Sequence, residues 1–291
     1  MHKNIVLIGS GRFGQSVGYL LEQAGADLAI RTTRTNAALR LNFKSTPKTL
    51  LYDSKQQGKL KTLSDELEGL SDILVLIAVH DDELKRVAEQ ISELRLSWKN
   101  CSVIHGSASF DEKILKPFAE RGARLGALHL TCPISSPVEK FTPGSAFTFC
   151  GDKDLGEVLT QVITAAGYEF IKLNDVNRTL YHSGCVMAAG HVAALITVAG
   201  EILATSGIAE NEVKKILYSL LTAQSQGLQN LDEGQAISKL LTGPFIRRDK
   251  QTIEKHIATL REISPKFVML YDLLGNLTTS LTTAKPPQPI Q

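Results

Sequence analysis

The chain has 291 residues, of which 43% are hydrophobic and 21% are charged, and its formal net charge is +2. These proportions are typical of a soluble globular protein, and the length leaves room for two domains. The small net charge and the lack of a basic block interleaved with aromatics give no reason to expect nucleic acid or a membrane surface as a partner. Four cysteines without metal-ligand spacing predict reduced thiols, a cytoplasmic location and no metal site.

The chain begins with a short apolar run, a glycine-rich turn and a helical pattern. The run Ile5–Ile8 predicts a buried strand, and a G-x-G-x-x-G turn follows it directly. In such a turn Gly9 allows the tight bend, Gly11 lets the backbone approach a pyrophosphate, and Gly14 lets helix and strand pack closely. The order predicts a dinucleotide-binding βαβ unit, with a purely structural turn as the alternative. The candidate cofactor-binding residues are Gly9, Ser10, Gly11, Arg12, Phe13 and Gly14.

The end of the second strand indicates which dinucleotide is bound. Residues 27–31 predict this strand, and no acidic residue occurs from Leu28 to Tyr52. An NAD enzyme places an Asp or Glu there on the ribose 2′-hydroxyl, whereas a 2′-phosphate needs charged donors and hydroxyls. Arg34, with Thr33 and Thr35 beside it, suits the phosphate. The sequence therefore favours NADP(H) over NAD(H), and a solvated basic loop is the alternative.

The first half of the chain alternates strands with helices, which predicts an α/β domain with a parallel sheet. Strands are predicted at 4–8, 27–31, 73–79, 102–105 and 124–129, with a less regular one at 49–53, an edge strand at 146–150 and another at 168–173. Helices are predicted at 13–24, 82–94, 111–120 and 155–166.

From Asn174 the pattern changes to long helices. Asn174 or Asp175 is predicted to cap a helix that runs to about Thr205, and Pro265 is predicted in the first turn of the last helix. Helices at 210–226, 235–241, 250–260 and 264–279 complete the pattern. The stretch 185–204 is almost wholly apolar, but polar residues interrupt it, which predicts a core helix of a soluble domain rather than a bilayer span. The predicted domains are 1–152, of α/β type, and 153–284, all-helical, followed by a flexible tail at 285–291.

Three predicted strands end in a histidine. Ligands bind outside the carboxyl ends of strands in open α/β sheets, which draws attention to His80, His105 and His129. Each histidine alone is more often structural, but three at one sheet edge raise the chance that one meets a ligand. Val79 and His80 are candidate cofactor contacts, and Ser107 is a candidate substrate contact.

Several segments together resemble one known family. They are Val79-His80-Asp81-Asp82, Val103–Ala108, His129 with its downstream proline, Tyr181-His182, and 241–249 (LTGPFIRRD) followed by Thr252 and His256. The chain resembles, over nearly its whole length, bacterial Rossmann-like oxidoreductases whose second domain is known only as a domain of unknown function (number 2520). The fold class implied is a Rossmann-type parallel sheet domain followed by an all-helical C-terminal domain like that of 6-phosphogluconate dehydrogenase.

The family is similar in architecture to pyrroline-5-carboxylate reductases, ketopantoate reductases and β-hydroxyacid dehydrogenases. The resemblance implies NADP-dependent reduction of a small carbonyl or imine, and a homodimer built through the helical domain. This chain departs from the family pattern at Leu130, Gly190 and Arg248, where the family often has Pro, Asn and Gly. Because glycine cannot orient a substrate carbonyl, a non-catalytic NADP(H)-binding sensor or scaffold is the alternative function.

Four residues of the long helix share one face by their i, i+3 and i+4 spacing: Arg178, Tyr181, His182 and Cys185. If that face borders the substrate, His182 or Tyr181 would donate the proton and Arg178 would hold an acidic group. A polar stripe at a domain interface is the alternative. The catalytic candidates are therefore His182, Tyr181, His105, His129 and Arg178.

The segment 241–249 has both a structural and a functional interpretation. Gly243 and Pro244 predict a turn, and Asp249 either pairs with Arg247 or caps the helix that follows. Arg247 is also a candidate substrate anchor, and His256 is predicted to face the same substrate-binding cleft as Arg178 and Tyr181.

Overall fold

The computed structural model describes residues 2–35, 38–55 and 60–283. The chain divides into two compact units, Met1–Ala189 and Gly190–Gln291. The predicted tail at 285–291 lies outside the described residues.

The first unit is built on one mostly parallel sheet. Within the described residues its strands are β1 (Asn4–Ile8), β2 (Asp27–Thr33), β3 (Lys48–Leu51), β4 (Ile73–Ile77), β5 (Ser102–His105), β6 (Arg124–Leu130), β7 (Ala146–Gly151) and β8 (Glu169–Lys172). Their order in the sheet is β3-β2-β1-β4-β5-β6-β7-β8. All neighbours run parallel except β6 and β7, which are antiparallel. The predicted α/β sheet is confirmed, and β7 lies inside it rather than at its edge, because β8 pairs with β7.

Helices of the first unit connect these strands. They are α1 (Arg12–Gln23), α2 (Leu60–Leu67), α3 (Asp81–Ser92), α4 (Lys116–Ala119), α5 (Lys153–Ala165) and α6 (Arg178–Val186), with 3-10 helices at Trp98–Asn100 and Glu112–Leu115. The sequence pattern did not indicate α2. The helix predicted at 111–120 is a 3-10 helix followed by the short α4, which has Pro117 in its first turn.

Apolar side chains cover both faces of the sheet, which explains why β1 and β4 read as continuous apolar runs. On one face Val6, Ile8, Val75 and Ile77 pack in a cluster with side chains of α2, α3 and α4, including Leu63, Val87 and Phe118. On the other face Ile5, Leu7, Leu74 and Leu76 share a cluster with side chains of α1 and α5, including Val17, Leu21 and Leu159. Burial on both sides anchors the strands whose ends carry the candidate site.

The second unit is helical in its described residues. It contains α7 (Val192–Thr205), α8 (Glu210–Gln229), α9 (Pro244–Arg247), α10 (Lys250–Ile263) and α11 (Pro265–Thr283), with a 3-10 helix at Ile237–Leu240 in place of the helix predicted at 235–241. Pro265 begins α11, as predicted. The Asp249 side chain accepts a hydrogen bond from the Thr252 N–H, which confirms the predicted cap of α10.

Two sequence expectations differ from the structure around α6. The cap of α6 is Asn177, whose side chain accepts from the Leu180 N–H, and not Asn174 or Asp175. The first compact unit ends at Ala189, whereas the predicted boundary was residue 152. The later boundary has a physical reason, because β8 hydrogen-bonds to β7 and α5 packs on the sheet.

An apolar helical run extends from Arg178 to Thr205 through a π-helical turn at Met187–His191. By length and composition it is the one run in the described residues that could cross a bilayer, a test that core helices of soluble proteins also pass. The predicted core helix is not buried within this chain, because none of the residues of α7 is buried.

Candidate functional site

A cavity of about 420 Å³ opens at the carboxyl ends of β1, β2 and β4. Its lining residues, which we call the glycine-turn pocket, are Gly9, Ser10, Gly11, Arg12, Phe13, Thr33, Arg34, Ala78, Val79 and His80. The structure thus brings together nearly all of the residues predicted to bind the cofactor. Ala78 was missed, since an alanine after an apolar strand carries no signal of its own. Thr35 is exposed directly after Arg34.

The three glycines of the turn play distinct parts. Gly9 has φ +96°, and a Cβ on it would lie 2.5 Å from the Ala78 carbonyl oxygen. A Cβ on Gly14 would lie 2.3 Å from the Gly9 carbonyl oxygen, so α1 can approach β1 this closely only with glycine. A Cβ on Gly11 would meet nothing within 4 Å. The space beside Gly11 is therefore open, as a pyrophosphate in contact with the backbone requires.

The N-terminus of α1 faces this open space without a side-chain cap. Gly11 is its N-cap residue, and no acidic residue lies in the first turn. The free N–H groups and the positive end of the helix dipole favour a phosphate. These residues fit a dinucleotide.

The end of β2 carries a mostly exposed guanidinium. Arg34 has 57% of its side chain exposed, and its Nη2 lies 3.9 Å from Oε2 of Glu83. Thr32 is buried and its hydroxyl accepts a hydrogen bond from the Gly9 N–H. Arg34 thus has donors available for a phosphate at the edge of the glycine-turn pocket.

A second group of polar side chains, which we call the Arg178 cluster, joins α6 to the sheet. It consists of Ser107, His129, Thr148, Arg178 and Tyr181. The Tyr181 hydroxyl lies 2.7 Å from Nδ1 of His129 and 2.9 Å from Oγ1 of Thr148. The Arg178 guanidinium stacks 4.7 Å from the centre of the Tyr181 ring. Thr148 was missed, because a threonine on a strand reads as ordinary β-structure.

Arg178 is the most unusual residue of the Arg178 cluster. Its Nη2 donates to the Ser107 carbonyl oxygen at 3.3 Å, and only 7% of the residue is exposed. Nε and Nη1 are buried without a hydrogen-bond partner, and the guanidinium makes no ion pair among the described residues. A buried cation without a counter-ion is costly, so this position favours an anion. The residue also borders a cavity of about 300 Å³ whose other charged lining residues are Asp111, Glu112, Lys113 and Asp175.

Burial shifts the titration of the groups around Arg178. Desolvation lowers the pKa of His129 to about 4, with the nearby Arg178 charge acting in the same direction. Desolvation also raises the pKa of the Tyr181 phenol. At neutral pH the cluster therefore holds a neutral imidazole against a protonated phenol.

His105 is held by the backbone on both ring nitrogens. Nε2 lies 3.0 Å from the Asp111 carbonyl oxygen, and Nδ1 accepts from the Ser107 N–H at 3.2 Å. The residue is fully buried, and desolvation lowers its pKa to about 4. His105 therefore orders the loop after β5, which is a structural task.

His182 and Ser107 also lie at this loop. Nδ1 of His182 is 2.7 Å from the Ser109 hydroxyl, and Ser107 is buried with its hydroxyl accepting from the Ser109 N–H. The loop also touches the glycine-turn pocket, since a Cβ on Gly106 would lie 2.2 Å from the Phe13 ring. The glycine-turn pocket and the loop of the Arg178 cluster are thus neighbours within the first unit.

The remaining predicted residues lie in the second unit. Arg247 is exposed at the end of α9 and makes no ion pair with Asp249 among the described residues. Nδ1 of His256 lies 2.7 Å from the Tyr271 hydroxyl. Within its own unit, Arg247 is a free surface cation, and its role as a substrate anchor stays a prediction.

A serine, a histidine and an aspartate also meet near the start of β1. His2 Nδ1 is 2.7 Å from Oδ1 of Asp72, and Nε2 is 2.8 Å from the Ser102 hydroxyl. Ser102 is fully buried, so its hydroxyl has no access to a substrate. The trio ties the chain start to β4 and β5 and is structural.

Comparisons with known proteins agree with this geometry. Residues 145–278 match the family model described as "Domain of unknown function (DUF2520)", which confirms the predicted resemblance over that stretch. No curated protein matches the chain in sequence.

Solved structures show the same fold. A protein from Bacteroides fragilis, provisionally described as an NADP oxidoreductase, has a TM-score of 0.65 at 16% identity, covering 96% of this chain and 98% of its own. A protein of Thermotoga maritima has a TM-score of 0.64 at 16% identity, with 96% and 100% covered. The Plasmodium falciparum pyrroline carboxylate reductase with NADP bound has a TM-score of 0.56 at 11% identity, with 95% and 99% covered. The Rossmann-type sheet domain with a helical C-terminal part is therefore shown.

Proposed function

We propose that the protein is an NADP(H)-dependent oxidoreductase that transfers hydride between the nicotinamide and a small, acidic carbonyl, imine or hydroxy compound. The glycine-turn pocket supports the dinucleotide, because its open space at Gly11 adjoins an uncapped helix N-terminus. The names of two neighbours in fold, one of them solved with NADP bound, point to the same cofactor. The acid-free end of β2 and the exposed Arg34 favour the 2′-phosphate.

The observation that carries the substrate class is the buried guanidinium of Arg178. Two of its nitrogens lack partners, and the residue makes no ion pair among the described residues. A carboxylate or phosphate of the substrate would supply the missing counter-charge and hydrogen bonds.

Tyr181 is the proton donor that we favour. When bound, the nicotinamide supplies or accepts the hydride. In the direction of reduction a proton must then reach the substrate oxygen or nitrogen. The phenol carries a proton at neutral pH, since its ordinary pKa of 10 is raised further by burial. His129 and Thr148 hold the hydroxyl in place at 2.7 and 2.9 Å. His182, which is paired with Ser109, is the second candidate donor.

A second copy of the chain is the partner we propose for the helical unit. Among its described hydrophobic residues only Val213 and Leu260 are buried, whereas Met269 and Leu273 on α11 are 73% and 66% exposed. Apolar surface on this scale indicates an interface, and the resemblance implies a homodimer. Covering α7 in this way accounts for its apolar sequence in a cytoplasmic protein.

The dimer is tested by light scattering at several concentrations without detergent. The wild type should be dimeric, and Leu273→Lys should shift it toward monomer, whereas Lys266→Glu on the same helix, at an exposed polar position, should not. A monodisperse wild-type monomer, or a protein that needs detergent to stay in solution, would rule the dimer out.

The enzyme is tested first by binding and then by turnover. NADPH and NADH are titrated by nicotinamide fluorescence into the wild type, Arg34→Ala and Arg40→Ala, the last an exposed control on the same loop. Arg34→Ala should weaken NADPH about tenfold or more, since a hydrogen bond to a charged group contributes about 1.5–3 kcal/mol. NADPH oxidation is then followed with small keto acids, imino acids and neutral analogues, with the acids expected to react.

Two outcomes separate this proposal from its alternatives. Tight NADPH binding without turnover of any compound would favour a sensor or scaffold with the same fold. No binding of either dinucleotide would mean that the glycine turn is structural.

A further inference from the structure

An acidic side chain stands at the carboxyl end of β2, although the strand itself carries no acid after Asp27. Glu83 comes from the first turn of α3 and lines a small cavity with residues of β2 and the loop after β3. That cavity measures about 40 Å³ and shares Gly9, Thr33, Arg34 and Val79 with the glycine-turn pocket. The carboxylate therefore lies where a dinucleotide enzyme recognises the adenosine ribose.

The neighbours of Glu83 engage only one of its oxygens. The Ser54 hydroxyl and Nη2 of Arg86 both donate to Oε2, and Nη2 of Arg34 lies 3.9 Å from the same atom. Oε1 has no hydrogen-bond partner within residues 2–35, 38–55 and 60–283. The carboxylate is thus held in place and still offers a free acceptor.

The charges around Glu83 allow the adenosine ribose to carry either a 2′-hydroxyl or a 2′-phosphate. The hydrogen bonds from Ser54 and Arg86 lower the pKa of Glu83 to about 2, so it is ionised at any physiological pH. Two guanidiniums, those of Arg34 and Arg86, face this single carboxylate. Arg34 is held only by the long contact to Glu83, so it can turn to a phosphate at little cost.

We propose that Glu83 is a specificity-determining residue that lets this pocket take both dinucleotides. Oε1 of Glu83 accepts the ribose 2′-hydroxyl of NAD(H), while Arg34 pairs with the 2′-phosphate of NADP(H). This inference rests on the proposed function and extends it, since the acid-free end of β2 by itself favours NADP(H). The pocket can bind either dinucleotide because Glu83 and Arg34 lie on different elements, and each binds a different group of the ribose.

The experiment titrates NADH and NADPH into wild type, Glu83→Gln, Glu83→Ala and the control Glu89→Gln, an exposed acid on the same helix. The wild type should bind both dinucleotides, with NADPH up to about tenfold tighter because the guanidinium and the 2′-phosphate both carry a full charge, whereas the ribose hydroxyl does not. Both Glu83 variants should weaken NADH about tenfold and leave NADPH equal or tighter, because a negative charge has gone. Glu89→Gln should change neither.

Three other results would contradict either the inference about Glu83 or the proposed function itself. Equal weakening of both dinucleotides by the Glu83 variants would make Glu83 a support for the fold at β2 and overturn the inference. A wild type that binds NADPH but not NADH would also overturn it while the proposed function stands. A wild type that binds neither would remove the proposed function itself. Thermal unfolding of each variant, measured without ligand, identifies loss of structure.

Discussion

The glycine-turn pocket and the Arg178 cluster are neighbours, and each has an arginine, but the two arginines lie in opposite environments. The glycine-turn pocket is open, and its cation, Arg34, is 57% exposed. The cation of the Arg178 cluster is 93% buried, since only 7% of Arg178 is exposed, and it has no counter-ion among the described residues. An exposed arginine stays hydrated and costs the ligand-free protein little stability, whereas a buried, unpaired one destabilises it. This difference supports the proposal that Arg178 holds an anionic group of the substrate.

The hydroxyl of Tyr181 gives the largest expected effect. Tyr181→Phe should lower kcat by about 10²–10⁴, the usual contribution of a proton donor, while NADPH affinity stays unchanged. Single-turnover kinetics with a reactive substrate measure it, and His182→Asn provides the comparison. A larger loss in His182→Asn would transfer the role of donor to that residue.

The guanidinium of Arg178 tests the comparison most directly. Arg178→Met should lower kcat/KM for an acidic substrate at least about 30-fold, because truncating a buried charge partner costs about 2–5 kcal/mol. The same change should leave the melting temperature equal or higher, since it removes an unpaired buried charge. The exposed Arg121→Met serves as control. A lower melting temperature with unchanged kcat/KM would make Arg178 a structural residue and end the contrast.

Two glycines of the turn separate binding from folding. Gly11→Ala places a methyl group in open space, so it should weaken NADPH about tenfold through lost phosphate hydrogen bonds and leave the melting temperature unchanged. Gly14→Ala places it 2.3 Å from the Gly9 carbonyl oxygen, and it should cost about 1–3 kcal/mol of unfolding free energy. Calorimetry of both variants, with and without NADPH, measures the two effects. If both variants only lose stability, Gly11 does not face the ligand.

The two buried histidines, His105 and His129, should make the free energy of unfolding depend on pH, which is a smaller effect. Burial lowers the pKa of His105 and of His129 to about 4, below their ordinary value of 6.5. The folded state therefore binds fewer protons than the unfolded state between these values, so stability is full above pH 6.5 and falls as pH drops toward 4. Thermal unfolding at pH 8, 6, 5 and 4 measures the slope. His129→Gln should flatten it relative to wild type, and an unchanged slope would assign the acid sensitivity to other groups.

The glycine-turn pocket was predictable because its parts are close in the chain or follow strands directly. Gly9–Gly14 and Arg34 lie at the ends of β1 and β2, and a parallel sheet brings such ends to one edge. The sequence also indicated that Arg178, Tyr181 and His182 share a helical face. It did not indicate that both ring nitrogens of His105 would bond to main-chain atoms of the loop, because such hydrogen bonds leave no pattern of residue types in the sequence.

The residue order alone predicts local features: the strand–turn–helix order of the cofactor motif and the alternation that builds the sheet. For Asp249 it left a choice between an ion pair and a cap of α10, and the structure has the cap. Only the tertiary structure decided which distant groups meet. Tyr181 reaches His129 across 52 positions, and Arg178 reaches the Ser107 carbonyl across 71. Glu83 reaches Arg34 from another element and places a carboxylate at the end of β2, where the strand has none. Periodicity and spacing report the backbone of one segment, whereas a polar partner is chosen by packing between segments, and that choice decides charge, burial and pKa.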